Sequence, residues 1–308
     1  MGQLGPRLAR AETRIPIAIL YDFRNEWAQG YGDTGDGHTR YNGEAESFCA
    51  GLKVLGQNID VVPLSATFER YRLIAALNLR LIDDAPARRL RAVVPAGGTL
   101  VLNYRAATQN NMDNGMRRSL APGPFEKIAV VNSEAILDLV EYNSAAGNLE
   151  AGLQAALGIE FQGQGQMFHP RTAIEQLTLH GADAVAAVPR GEALTGRPAV
   201  TRNRHGRRWV LYGGCDSTAD GFYETIARLA GQSASLKPLL AAPYGFEVTS
   251  REDADSIYYF LLNLTETAHE RIDLPRAMED LIGGRRAVRQ IALAPLDAAI
   301  LTWPKGRQ

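Results

Sequence analysis

A chain of 308 residues is long enough for two domains, each burying its own core. Its 33 basic residues nearly balance 34 acidic ones, so no long-range field draws it to nucleic acid or to an anionic membrane. No apolar run approaches the roughly 18 residues that span a bilayer, and the basic start MGQLGPRLARAETR lacks the apolar core of a secretory signal, which makes the expected location cytoplasmic.

The first expected strand is Ile15 to Tyr21, and Asp22 then opens a long aromatic, glycine-rich loop, FRNEWAQGYGDTGDGHTRY. Long loops at the carboxyl ends of strands are where α/β proteins place ligand contacts. A helix from about Asn42 to Leu55 follows, stopped by Gly56, and Ile59 to Val62 is the second strand. The stretch YRLIAALNLRLIDDAPARRLRAVVPAGGTLVLNYR then reads as strand Leu73 to Leu77, helix Pro86 to Val94, a stop at Gly97 and Gly98, and strand Thr99 to Asn103. Alternating strands and helices predict an open parallel sheet with right-handed crossovers, flavodoxin-like or class I glutamine amidotransferase-like.

Between Asn110 and Phe168 only a strand near Ile128 to Val131 and helical turns near Ala145 to Leu157 are expected. Strands follow at Glu175 to Leu179, Ala184 to Val188, Ala199 to Arg202 and Trp209 to Tyr212, the last two joined in a hairpin through Gly206, and then a helix from Thr218 to Leu229. After Pro238 the alternating segments Phe246 to Thr249, Ile257 to Leu264, Glu270 to Leu274, Val288 to Leu293 and Ala298 to Trp303 suit a small antiparallel β-sandwich. The expected division is a tail over 1–13, an α/β domain over 14–235 and the sandwich over 236–308.

Residues that could carry chemistry have structural readings beside them. Cys49 and Cys215 are too few for a disulfide framework or a four-thiolate zinc site, and the histidines are scattered, so neither metal nor cofactor is expected. Cys215 follows a strand in YGGCDSTAD, the place of a nucleophile elbow, yet Ser217 stands where the elbow wants glycine, which favours a structural thiol. Glu44 and Glu46 point to different faces of their helix, Asp83 and Asp84 suit a helix start, and Asp253 and Asp255 suit a hairpin tip. Asp22, Arg24, Trp27, Asn103, Tyr104, Arg105 and Asp216 all fall just after strands, and Tyr31 and Tyr41 lie in the first loop. They form either a sugar-binding crevice or an inter-domain or inter-subunit surface.

Three stretches, ILYDFRNEWA, GRPAVTRNRHGRRWVLYGG and GFEVTSREDADSIYYFLLNLTE, stand in the order found after the catalytic barrel of a glycoside hydrolase family 42 β-galactosidase. The chain from Arg14 to Trp303 resembles the trimerisation domain and C-terminal sandwich of that family, and LGPRLARAETR resembles the tail leaving its barrel. The resemblance implies a homotrimer, a β-galactoside as the ligand of the whole enzyme, and a catalytic (β/α)8 barrel encoded elsewhere or missing. No residue here corresponds to either catalytic glutamate. Two other readings stay open: a standalone carbohydrate-binding or regulatory pseudo-enzyme, and an amidotransferase-like or hydrolase-like enzyme using Cys215.

Overall fold

In a computed structural model the described residues are 4–32, 41–110, 121–139, 157–190, 194–217, 221–238, 240 and 245–305. The first domain is built on a nine-stranded sheet. In chain order its strands are β1 (Ile17–Leu20), β2 (Ile59–Val62), β3 (Leu73–Ala76), β4 (Thr99–Asn103), β6 (Ile159–Phe161), β7 (Met167–Phe168), β9 (Asp183–Ala187), β10 (Pro198–His205) and β11 (Arg208–Gly213). Strands β5 (Val131–Asp138) and β8 (Ala173–Leu179) form a separate antiparallel ribbon.

The spatial order is β2-β1-β3-β4-β11-β10-β9-β6-β7. The run from β2 to β11 is parallel, and β10 onward is antiparallel. The expected parallel sheet is therefore half of a mixed one. The short connection through Gly206, at φ +64°, permits only an antiparallel neighbour for β11.

Helices cover both faces of the parallel half, which is why β1, β3 and β4 are buried at every position. Helix α1 (Leu4–Leu8) lies in the tail. Helices α2 (Phe23–Gly32) and α3 (Tyr41–Leu52) follow β1, α4 (Asp84–Val93) follows β3, α5 (Glu126–Ala129) precedes β5, and α6 (Phe222–Ser233) follows β11. On one face Ile17, Ile19, Phe48, Leu52 and Ile226 share a core. On the other, Leu20, Ile74, Leu90, Leu102, Phe125 and Tyr212 share a second. Helices α3 and α6 cross at Gly51, where an added Cβ would sit 2.7 Å from the Tyr223 carbonyl carbon.

Several expectations shift. The first loop is in part a helix, α2, while 33–40 and the helical turns near Ala145 lie outside the described residues. Ile128 is in the short helix α5, which ends at Val130 with φ +55° before β5 begins. A four-residue apolar run cannot by periodicity distinguish a buried helical turn from a strand. Helix α6 starts at Phe222 rather than Thr218, after Gly221 at φ +88°.

The second domain is one five-stranded antiparallel sheet of the expected sandwich type, with strands β12 (Phe246–Glu252), β13 (Ser256–Asn263), β14 (His269–Asp280), β15 (Arg285–Leu293) and β16 (Ala298–Pro304). Phe246, Tyr259, Leu261, Ile291 and Leu301 form its core. Asn58 ties it to the first domain by accepting from Ser250 N at 3.0 Å and donating to Ser250 O at 2.9 Å. Lys53 and Glu247 add an ion pair at 3.1 Å. A cleft of about 770 Å³ opens between the domains, and none of the carboxyl-edge residues lines it.

Candidate functional site

Helix α2 is inside out. Its inner face carries Asn25 and Gln29, 0% and 4% exposed, while Phe23 and Trp27 are 60% and 62% exposed. The inner amides replace apolar packing with hydrogen bonds to the segment after β3. Asn25 donates to Leu81 O at 2.8 Å and accepts from Leu81 N at 2.8 Å, and Gln29 donates to Asn78 O at 2.9 Å. Asp22 starts the helix, its carboxylate accepting from Arg24 Nε at 3.1 Å and Nη2 at 3.0 Å. Phe23 and Trp27, one turn apart with ring centroids 6.3 Å apart, leave an aromatic step in solvent. Tyr31 and Tyr41 lie on α2 and α3, with side chains outside the described residues.

Beneath α2 lies a buried polar network at the carboxyl ends of β3 and β4. Asn103 Oδ1 accepts from Asn78 N at 2.5 Å, and its Nδ2 donates to Glu44 Oε2. Glu44 is buried on α3, in the stripe that continues through Phe48 and Leu52. Burial, and then the neighbouring charge of Asp216, push its carboxyl up to about 8, against the opposing pull of Tyr104, Asn103 and Arg80. The Tyr104 hydroxyl faces this carboxyl, yet neither it nor Glu44 Oε1 closes a hydrogen bond of ordinary geometry. Asp216 is anchored by Thr172 N at 2.8 Å.

A second buried carboxyl, Glu175 on β8, shapes the turn after β4. Its Oε1 accepts from Arg105 N at 2.8 Å and its Oε2 from the Tyr212 hydroxyl at 2.6 Å. Burial raises it to about 7 despite those bonds. Arg105 occupies the left-handed region at φ +59°, and its guanidinium pairs with Asp138. The strained strand-end turn that a nucleophile elbow requires is thus at Arg105, which has no nucleophile. Cys215 is 2% exposed, and burial, then Asp216, Glu175 and Glu44, push its thiol well above the ordinary value. That suppresses the thiolate. A cysteine nucleophile also needs a histidine base, and His269, the histidine that follows Cys215 in the chain, is in β14 of the other domain, its ring edge-on to Phe246.

The structure divides the expected site into two layers. Arg24 and Trp27 are at the surface with Phe23, and Asp22 is half-buried beside them. Asn103, Tyr104 and Asp216 are 4%, 0% and 6% exposed, beneath it and joined to Glu44. Arg105 spans the layers. Glu44 and Asp216 are two neighbouring carboxylates, but both are enclosed, so no sugar ring reaches between them as a glycosidase requires. Among the described residues no group of three or more His, Cys, Asp and Glu is placed to hold a metal ion.

Residues 16–237 match the β-galactosidase trimerisation domain, and residues 245–302 match the β-galactosidase C-terminal domain. The chain belongs to the β-galactosidase trimerisation-domain family. It is 24% identical to β-galactosidase BgaP of Planococcus sp. (strain L4), a match covering 88% of this chain and 38% of that protein. It is 26% identical to β-galactosidase BglY of Alicyclobacillus acidocaldarius, over 85% of this chain and 37% of that one. A solved β-galactosidase from Bacillus circulans sp. alkalophilus superposes with a TM-score of 0.83 at 20% identity, covering 98% of this chain and 43% of its own. This chain therefore spans about two fifths of the relatives it matches, and its two domains are non-catalytic β-galactosidase domains.

Proposed function

We propose that the chain acts as the assembly module of a trimeric β-galactosidase, whose hydrolysis of terminal β-galactosides is carried out by a catalytic barrel in the same or another polypeptide. The observation that carries this reading is the inverted α2, which buries amides and presents Phe23 and Trp27 to solvent. Exposed aromatics grouped on a rigid element are characteristic of interface centres. The contact is a threefold heterologous one between copies, with the barrel docking on the same edge.

Light scattering and galactosidase assays on the purified chain test it. The chain alone forms trimers and hydrolyses no aryl β-galactoside, and it gains activity when mixed with a family barrel. Phe23→Ser with Trp27→Ser yields a folded monomer. A wild-type monomer at micromolar concentration, with no response to the barrel, overturns the reading. Trp27 beside the Asp22–Arg24 pair also suits a sugar face, and a change in Trp27 fluorescence on titration with galactose would favour the carbohydrate-binding alternative.

A further inference from the structure

The network under α2 is built around one enclosed carboxyl, Glu44. Glu44 is enclosed by Asn103 and Tyr104 at the end of β4, Arg80 after β3, Cys215 and Asp216 after β11, and Tyr223 on α6. Tyr104, Cys215 and Tyr223 are held neutral by burial, with values raised well above ordinary. The charged groups facing Glu44 are therefore Asp216, which repels a carboxylate, and Arg80, whose guanidinium also donates to Asn78 Oδ1 at 3.3 Å. As a neutral acid, Glu44 keeps the Asn103 bond, offers an O–H toward the Tyr104 hydroxyl and repels nothing. As a carboxylate, it places a second negative charge beside Asp216, with Asn103 donating to Oε2 and no described residue donating to Oε1.

We propose that Glu44 is a proton-dependent latch: its neutral form fastens α3, and through Asn103, Asn78 and Gln29 also α2, to the carboxyl edge of the sheet, and its ionisation releases that edge. The connection is continuous. Glu44 bonds Asn103, Asn103 bonds Asn78, and Asn78 bonds Gln29 on the inner face of α2. Ionisation strengthens the Asn103 donation itself, but it leaves an enclosed charge beside Asp216, and the opening that lets water reach that charge carries Asn103, and with it the helix bearing Phe23 and Trp27, away from the edge. The latch is a property of this edge alone; its effect on assembly rests on the role proposed for α2.

The sign follows from linkage. A carboxyl raised in the fold binds its proton more tightly there than in the unfolded chain. The stability it contributes is complete below the ordinary value of 4.5 and is lost as pH rises through about 8. The test is amide exchange on the intact chain, corrected for the intrinsic rate, at about pH 6.5 and pH 9. In the wild type, protection in 41–52 and 23–32 falls by about tenfold or more at the higher pH, with little change in the C-terminal sheet. In Glu44→Gln the fall disappears. In Asp216→Asn, whose amide oxygen can still accept from Thr172 N, it shrinks.

A direct readout covers the case in which Glu44→Gln does not fold. In Glu175→Gln, which removes the other raised carboxyl, the infrared band of a protonated buried carboxyl persists at neutral pH and disappears as pH rises through about 8. Equal alkaline loss of protection in Glu44→Gln, or no such infrared band in Glu175→Gln at neutral pH, overturns the latch. Trimers that persist while α2 and α3 lose protection leave the latch standing and count against the assembly role of α2 instead.

Discussion

Replacing Tyr212 by Phe removes one oxygen from the middle of the first domain and leaves the ring, which is 0% exposed, in place. The hydroxyl donates at 2.6 Å to Glu175, whose remaining donor is Arg105 N at 2.8 Å. Glu175 already has a folded value near 7 against 4.5 ordinarily, so the fold becomes weaker by about 3 kcal/mol as pH rises through that interval. The Tyr212 hydrogen bond is the larger of the two that limit that rise. Without it the folded value climbs further, and the interval over which stability is lost extends above pH 7. The variant should lose about 1 kcal/mol near pH 5.5, the contribution of a hydrogen bond to a neutral acid, and about 3 kcal/mol near pH 8.5, that of one to a buried charge. Urea unfolding followed by near-ultraviolet circular dichroism at both pH values measures the difference. The C-terminal sheet, with a core of its own, serves as an internal reference for a chain that need not unfold in one step. Equal losses at the two pH values would refute the claim that Glu175 changes charge inside the fold.

Cys215→Ala should lower the stability of the first domain by about 1 to 3 kcal/mol, as for a small core truncation, and native Cys215 should resist iodoacetamide near neutral pH until the domain unfolds. Gly51→Ala drives a Cβ to 2.7 Å from the Tyr223 backbone, which cannot swing aside as a side chain could, so thermal unfolding should report a loss of about 1 to 3 kcal/mol or more. Asp280→Ala removes a carboxylate that accepts from Gly283 N at 2.9 Å and Arg285 Nη2 at 2.9 Å, and should destabilise only the C-terminal sheet, read as exchange of its amides with the first domain unchanged.

What the sequence made legible was whatever local pattern and core packing both demand. Ile59 to Val62 and Thr99 to Asn103 are strands over the expected residues, and Gly56, at φ +52°, caps the 3-10 turn Lys53–Leu55 that follows α3. Helix α2 was missed because hydrophobic period finds helices that bury their apolar face, and this one buries Asn25 and Gln29. Glu44 and Glu175 were also missed as site residues, though a signal existed. Glu44 falls on the same helical stripe as Phe48 and Leu52, and Glu175 shares a strand face with the buried Ala173 and Leu177 along β8. A carboxylate in register with core positions is the pattern that exposes such residues. What no local pattern contains is that Asn78, Asn103 and Asp216, far apart in the chain, meet around Glu44.

The features that weaken an isolated domain concentrate at one edge of this one. Buried Glu44 and Glu175, exposed Phe23 and Trp27, and the left-handed Asn78, Arg105 and Ala107 all lie at or beside the carboxyl ends of β1, β3 and β4. In α4, by contrast, pattern and packing agree, with Ala87, Leu90 and Val93 facing the core. Local rules tend to be broken where a protein does its work, which is the reason the proposed assembly role is placed at this edge. The manner of the breakage indicates which kind of work. Turnover requires a nucleophile or an acid–base pair open to substrate, whereas Cys215, Glu44, Glu175 and Asp216 are all enclosed. The groups left in solvent include two aromatic rings on a helix that hydrogen bonds hold to the sheet. That arrangement can grip another surface, as the proposed assembly role requires.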